Sequence, residues 1–301
     1  MSIIVSNNNK QNLFAVFGLL FGAICWGIIW YPYRIMSDAG VSGVASSFYT
    51  YSIALLIGCV LFGKHWRSIL LLPKRAYWLC LMAGWTNLSY VLAVIDGEVM
   101  RVMLLFYLSP FWTLILARFW LKERIHTQGL IAIILSIVGA MIMLNDFEHF
   151  SFPLPRNTSE WLAFSSGIGF SISNVFTRHA TYLSLAAKSM LIWLGVIFVS
   201  LIMKVALGEH FPSVEFFSAF NWGVMGIIAL LVVLATLVVQ YGVTQITAMR
   251  ASVLFLFELV VAAIASYYLA HEAMTWNEWL GGIFIVAAGL ISAMQNQTTP
   301  H

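Results

Sequence analysis

The chain has 301 residues, 61% of them hydrophobic and 9% charged, with a formal net charge of +3 and a mean hydropathy of +0.90. A soluble domain carries about 45–50% apolar and about 25% charged residues, so this composition excludes a water-soluble globular protein. The small positive balance gives no reason to expect a nucleic-acid partner, and Cys25, Cys59 and Cys80 lack the spacing of a metal site or a disulfide framework.

Apolar runs of about 20 residues match the length a helix needs to cross a bilayer. The first runs from 13 to 35 and leads into Trp30-Tyr31-Pro32-Tyr33-Arg34. It is too long for a secretory signal and has no small-residue cleavage site, so a retained helix is expected. Runs at 43–63, 77–95, 100–121 and 127–144 follow. The segment 145–159 carries Asp146, Glu148, Pro153, Pro155 and Arg156 and reads as an exposed linker. Beyond it lie runs at 160–179, 186–206, 219–245, 249–270 and 277–294. Barrel strands alternate in polarity over about ten residues, and these runs do not. The expected fold is an all-α integral membrane protein with ten transmembrane helices.

Charge sets the orientation. With a cytoplasmic N-terminus, 11 of the 15 Lys and Arg residues fall inside, and Arg34, Arg101, Arg156 and Lys204 fall outside. Positive loops stay cytoplasmic, so the bias predicts a multi-pass protein of the inner (cytoplasmic) membrane with both termini cytoplasmic.

The chain also repeats itself. A shift of 149 positions lays Met100–Glu123 over Met249–Glu272, matching Arg101 with Arg250, Leu105 with Leu254, Phe106 with Phe255, Ile115 with Ile264 and Glu123 with Glu272. In both copies a basic residue opens an apolar run, an acid closes it, and another apolar run follows. Such repeats in a membrane chain mark architectures built from two halves. Here each half holds five helices, an odd number, so the second half must enter the membrane from the opposite side. The expected organisation is a first five-helix repeat over 13–144, an external linker over 145–159 and a second, inverted repeat over 160–294.

Trp26-Gly27, then Leu108-Ser109-Pro110, Leu121-Lys122-Glu123 and Gly129, and in the second copy Leu269-Ala270-His271-Glu272 with Gly281, Gly282 and Gly289, carry a resemblance to a known family. With the five-plus-five arrangement, the chain resembles the EamA-type members of the drug/metabolite transporter superfamily from about residue 13 to 294. The resemblance implies a secondary transporter of small metabolites, often an exporter of amino acids or related compounds. The second copy departs from the pattern: Leu259 stands where the repeat would place proline, with Glu258 where the first copy has Ser109. A matching kink in the ninth helix therefore does not follow.

Glu258 is the main candidate for chemistry. It lies about nine residues into a helix of about 22, flanked by Leu254, Phe255, Leu256, Phe257, Leu259 and Val260. A carboxylate near the bilayer centre costs about 3 kcal/mol, so it should face a bundle interior and be paired or protonated. It reads as a proton-coupling group or a partner for a substrate ammonium; the structural alternative is a hydrogen bond to Asn87 or Asn174. Asn87, Asn174, Thr236 and Gln240 lie at similar depth and are either site residues or interhelical glue. Asn87 aligns with Thr236 in the repeat, which predicts that both lie near the pseudo-axis. Trp26, Trp30, Tyr90 and Tyr107 are candidate walls for an amine, through cation–π attraction, against the alternative of plain packing. Arg101 and Arg250 open the fourth and ninth helices, either as interfacial anchors that snorkel to headgroups or as gating, carboxylate-binding residues. Thr127 and Asn277 are expected to cap the fifth and tenth helices, and Thr275 to Glu278 has capping-box spacing.

Nucleotide-hydrolysis, zinc-protease and nucleophile-elbow motifs are absent from the sequence, which points away from an enzyme and implies no cofactor. The leading expectation is a secondary transporter working by alternating access on a small organic metabolite such as an amino acid or amine, with export as the expected direction. Import of a cationic or aromatic metabolite, and a non-transporting scaffold or membrane-embedded enzyme, are the alternatives. Its partners would be the substrate, the lipid bilayer and protons. The Gly18/Gly22 pair would let helices approach closely, a pattern too common to imply a dimer, and a homodimer stays an open alternative.

Overall fold

The computed structural model describes residues 2–63, 74–120, 127–144, 154–179, 183–245, 254–255 and 257–293. They form α1 (Ser2–Ile28), α2 (Trp30–Asp38), α3 (Gly43–Phe62), α4 (Lys74–Asp96), α5 (Val99–Phe106), α6 (Ser109–Trp120), α7 (Thr127–Leu144), α8 (Thr158–His179), α9 (Leu185–Leu207), α10 (Ala219–Gln245), α11 (Phe257–Ala265) and α12 (Trp276–Ala293). A π-helical segment, Ser266–Ala270, extends α11. Five stretches are long and apolar enough to cross a membrane, at Leu13–Asp38, Gly43–Phe62, Tyr77–Asp96, Leu185–Leu207 and Ala219–Gly242, and shorter apolar helices accompany them. Residues such as Phe17, Val60, Phe119, Ile134, Phe198, Val205 and Ile227 are exposed, the arrangement expected of a surface solvated by lipid.

Two spans are broken, each at a proline. Pro32 cannot donate to the carbonyl four residues back, and α1 gives way to α2 around Ile29, where the Trp30 indole donates to the Gly27 carbonyl at 2.9 Å. Pro110 does the same to the fourth span, which opens at Tyr107 and Leu108 between α5 and α6. The ninth span has no proline, and its described departure from α-helix is the π segment at its end.

Caps recur in the two halves. Ser42 accepts from the Ala45 N–H to start α3, and Ser184 accepts from the Ala187 N–H to start α9, both at 3.2 Å. Thr275 and Glu278 form the capping box their spacing predicts. The cap of α12 is therefore Thr275; Asn277, expected in that role, lies inside the helix. Thr127 opens α7, and the residue before it lies outside the described residues.

The main helix contacts recur under exchange of the halves. The third span packs on the sixth and the eighth on the first; the third on the seventh and the eighth on the second; the first on the ninth and the sixth on the fourth. The second meets the seventh, the fourth meets the ninth and the fifth meets the tenth, each span touching its own counterpart. This is a two-fold repeat. The start of α5 meets the end of the ninth span, since the Val99 N–H donates to Glu272 at 2.7 Å. The two equivalent spans thus run in opposite directions, and the repeat is inverted. The fold is the ten-helix, two-repeat membrane architecture expected from the sequence.

Backbone approaches hold this arrangement. A Cβ on Gly195 would collide with the Cys80 carbonyl oxygen, and one on Gly139 would lie 2.8 Å from the Gly281 carbonyl oxygen. Gly18 and Gly22 receive Val238 and Val239 of α10, so this small-residue pair is used within the chain.

Candidate functional site

The fourth and ninth spans meet at the break in the fourth. Tyr107, which caps the C-terminus of α5 at that break, places its hydroxyl 2.9 Å from Glu258 Oε2 and 2.9 Å from the Phe255 carbonyl oxygen. Residues 106–109 and 255–258 are equivalent in the 149-residue repeat, so this contact lies beside the pseudo-two-fold axis. Glu258 is buried, and its hydrogen-bond partner is Tyr107, not Asn87 or Asn174. Gly27 clears the space: a Cβ there would lie 2.9 Å from Val261 and 3.0 Å from the Glu258 carbonyl.

A phenol has one proton and here faces two acceptors. With Glu258 ionised, Tyr107 donates to the carboxylate. With Glu258 protonated, the carboxylic acid can donate to the phenol oxygen, and Tyr107 can donate to the Phe255 carbonyl instead. The same geometry therefore accommodates both charge states of Glu258.

Around this pair the structure gathers some of the expected residues and separates others. Tyr90 is buried and within electrostatic reach of Glu258, and its ring packs edge-on against Phe106 at 5.6 Å. Asn87, one turn before Tyr90 on α4, accepts from the Tyr51 hydroxyl and donates to the Ala83 carbonyl, both at 2.8 Å. Trp30 is buried as a packing residue beneath Arg34, whose guanidinium carbon lies 4.9 Å from the ring centroid. Trp26 is half-buried on α1, Asn174 half-buried on α8, and Thr236 buried and Gln240 half-buried on α10. Arg250 lies outside the described residues.

Arg101 is not a snorkelling anchor. Its Nε lies 2.6 Å from Glu160 Oε1 and its guanidinium 3.8 Å from Glu278, both carboxylates buried. Arg34 pairs with Glu272 at 2.9 Å and also donates to the carbonyls of Val94 and Gly97. All three ion pairs among the described residues join the first half of the chain to the second. His271, with φ of 56°, turns the chain so that Glu272 faces back into this cluster. A pocket of about 260 Å³ lies here, lined by Glu98, Met100, His271, Glu272, Met274 and Glu278. Partial desolvation, then the neighbouring Glu278 carboxylate, with Glu272 and Glu160 adding to it, hold the Glu98 carboxyl above its usual range against the opposing pull of Arg101.

Sequence reading passed over Arg34, Glu98, Glu160, Glu272 and Glu278 as site residues. The signal was available in part: the few charges assigned outside all flank span ends, and inverted halves bring such ends together.

These features define a polytopic protein of two inverted five-helix halves, with a carboxylate buried between them and charged residues clasping one end. The chain belongs to the EamA-like transporter family, whose profile matches twice, over residues 13–145 and 157–294. It is similar to an uncharacterized transporter from Archaeoglobus fulgidus, 24% identical over 208 residues that make up 69% of this chain and 72% of the relative. It is also similar to an uncharacterized transporter from Synechocystis, 26% identical over 220 residues, which are 67% of this chain and 60% of that longer protein. A protein of known crystal structure shares the fold with a TM-score of 0.61 at 15% identity, over 94% of this chain and 97% of the other.

Proposed function

We propose that this membrane transporter is a secondary active exporter of a small organic metabolite, an amine or related compound, working by alternating access and coupled to protons through Glu258. The observation that carries the reading is the clasp at the Arg101 end. Arg34–Glu272, Arg101–Glu160 and Arg101–Glu278 all cross between the halves, so the halves can part there only by breaking them. The charge bias of the sequence assigns that end to the outside, with both termini cytoplasmic and residues 145–159 external. The first four spans of each half would rock around Glu258, while the fifth and tenth, packed mainly on each other, act as scaffold.

Proton coupling is supported by the Tyr107 bridge, which satisfies Glu258 in either charge state. Outward direction rests on the resemblance to EamA-type exporters. A second reading, import of a cationic metabolite, is favoured by the acidic lining of the outer pocket, where Glu98, Glu272 and Glu278 would gather cations. The sign of the coupling separates the two, because protons enter the cell: export requires antiport and import requires symport. Export predicts that labelled amine accumulates in proteoliposomes with an acid lumen, above the level in protein-free liposomes, and accumulation only with an acid exterior would reverse the direction.

A further inference from the structure

Tyr107 and Arg101 belong to one stiff piece of chain. α5 has 8 residues, about 12 Å of helix, with no glycine or proline among them. Six of the eight, all but Arg101 and Phe106, are buried. The helix is bonded from end to end: the Val102 N–H donates to the Glu98 carbonyl at 2.9 Å, and the Tyr107 N–H donates to the Met103 carbonyl at 2.8 Å. The span then breaks at Tyr107 and Leu108, so Tyr107 goes with α5 and not with α6.

This piece is tied to the second half of the chain at both ends. At the outer end Arg101 meets Glu160 and Glu278, and the Val99 N–H donates to Glu272. At the inner end the Tyr107 hydroxyl meets Glu258 and the Phe255 carbonyl. α2 joins the same outer knot: Arg34 pairs with the other oxygen of Glu272 and donates to the carbonyl of Gly97, two residues before α5. Parting the outer end therefore swings α5 about its break, and the swing carries the Tyr107 ring with it. A hydrogen bond is lost once donor and acceptor stand more than about 3.5 Å apart, so the clasp and the bond to Glu258 open together.

We propose that Tyr107 is a positioning residue that transmits the state of Glu258 to the outer clasp, with α5 as the strut between them. A substrate ammonium at Glu258 competes with Tyr107 for the carboxylate, and the inner tie of α5 is then released. Occupation of the site thereby favours opening at Arg34 and Arg101, the order of events an exporter needs. The inference rests on the reading of Glu258 as the transport site, and goes beyond it by naming the contact through which that site controls the outer end.

The test uses intact cells expressing the full chain with Cys25, Cys59 and Cys80 replaced, and a membrane-impermeant maleimide added outside. One reporter is Ser47→Cys, buried beside Tyr33 of α2 and so uncovered when the outer end parts. The other is Ser136→Cys, buried in α7 one turn from the contact of Gly139 with α12. A hydrogen bond to a carboxylate that is lost only on opening is worth about tenfold or more, so Tyr107→Phe should label Ser47→Cys about tenfold faster and leave Ser136→Cys protected. Glu258→Gln weakens the same bond from the other side; it should speed labelling as well, and add little to Tyr107→Phe. Labelling of Ser47→Cys at the wild-type rate in Tyr107→Phe, beside faster labelling in Arg101→Ala, would mean that the bond persists through opening; it overturns the strut and leaves the clasp and the transport reading standing. Faster labelling of Ser136→Cys in Tyr107→Phe would make the hydroxyl a brace of the whole fold and overturn it, as would a full further rise in the double variant. Unchanged labelling in Tyr107→Phe, Glu258→Gln and Arg101→Ala alike overturns strut and clasp together.

Discussion

Replacing Arg101 with alanine withdraws a guanidinium from Glu160 at 2.6 Å and from Glu278 at 3.8 Å. Removing one partner of a buried ion pair costs about 3–5 kcal/mol, because the other charge stays buried. The lower figure applies, since Glu160 keeps its bond from the Arg156 N–H at 2.8 Å and Arg101 is itself partly exposed. In an outer-open state the carboxylates are hydrated, so the loss falls almost wholly on the closed state. A change of about 3 kcal/mol is roughly a 150-fold shift toward opening. The assay is the rate at which a membrane-impermeant maleimide, added outside, labels Ser47→Cys in a chain whose Cys25, Cys59 and Cys80 are replaced. Where labelling tracks a minor open state, its rate should rise about 100-fold in Arg101→Ala, until the open state predominates. Arg101→Lys should give much of the same rise, because an ammonium does not reproduce the guanidinium fork, whereas a headgroup anchor would tolerate it. Unchanged labelling in both variants at normal expression would refute the clasp.

Two further outcomes follow from the same contacts. Glu98 titrates above its usual range in the closed cluster, so the closed state holds a proton that an open state with an ordinary carboxyl gives up. Closure is therefore favoured below the ordinary range and lost as pH rises through the raised one. Labelling of Ser47→Cys should increase with pH across that window, modestly and salt-sensitively because Glu98 stays exposed, and Glu98→Gln should flatten the profile; an identical profile in the variant would remove Glu98 from the clasp. Tyr107→Phe deletes only the hydroxyl that bridges Glu258 and Phe255. A hydrogen bond to a charged group contributes about 1.5–3 kcal/mol, so proton-driven flux should fall about tenfold or more at unchanged abundance, and wild-type flux would make the bond incidental.

The architecture was legible because apolar run length, charge bias and a 149-residue repeat are all one-dimensional signals. Glu258 was legible for the same reason: an acid amid Leu254, Phe255, Phe257 and Leu259 stands out without coordinates. Its partner was not. Asn87 and Asn174 lie at similar depth, but depth does not give the face of a helix, and the face of α5 that turns Tyr107 toward Glu258 is set by packing. Arg101 was left open between anchor and gate for a related reason. An arginine at a span end usually faces headgroups, and the two carboxylates that pair with it, Glu160 and Glu278, come from residues up to 177 positions later.

The central claim is that proton and substrate share Glu258. Its most direct test is accumulation of an amine substrate by proteoliposomes under an imposed pH gradient, wild type against Glu258→Gln, which keeps the shape of the side chain and fixes it neutral. The account predicts that the variant folds and reconstitutes normally yet accumulates no substrate, whatever the gradient. Accumulation by Glu258→Gln at the wild-type rate, with the wild-type dependence on pH, would contradict it.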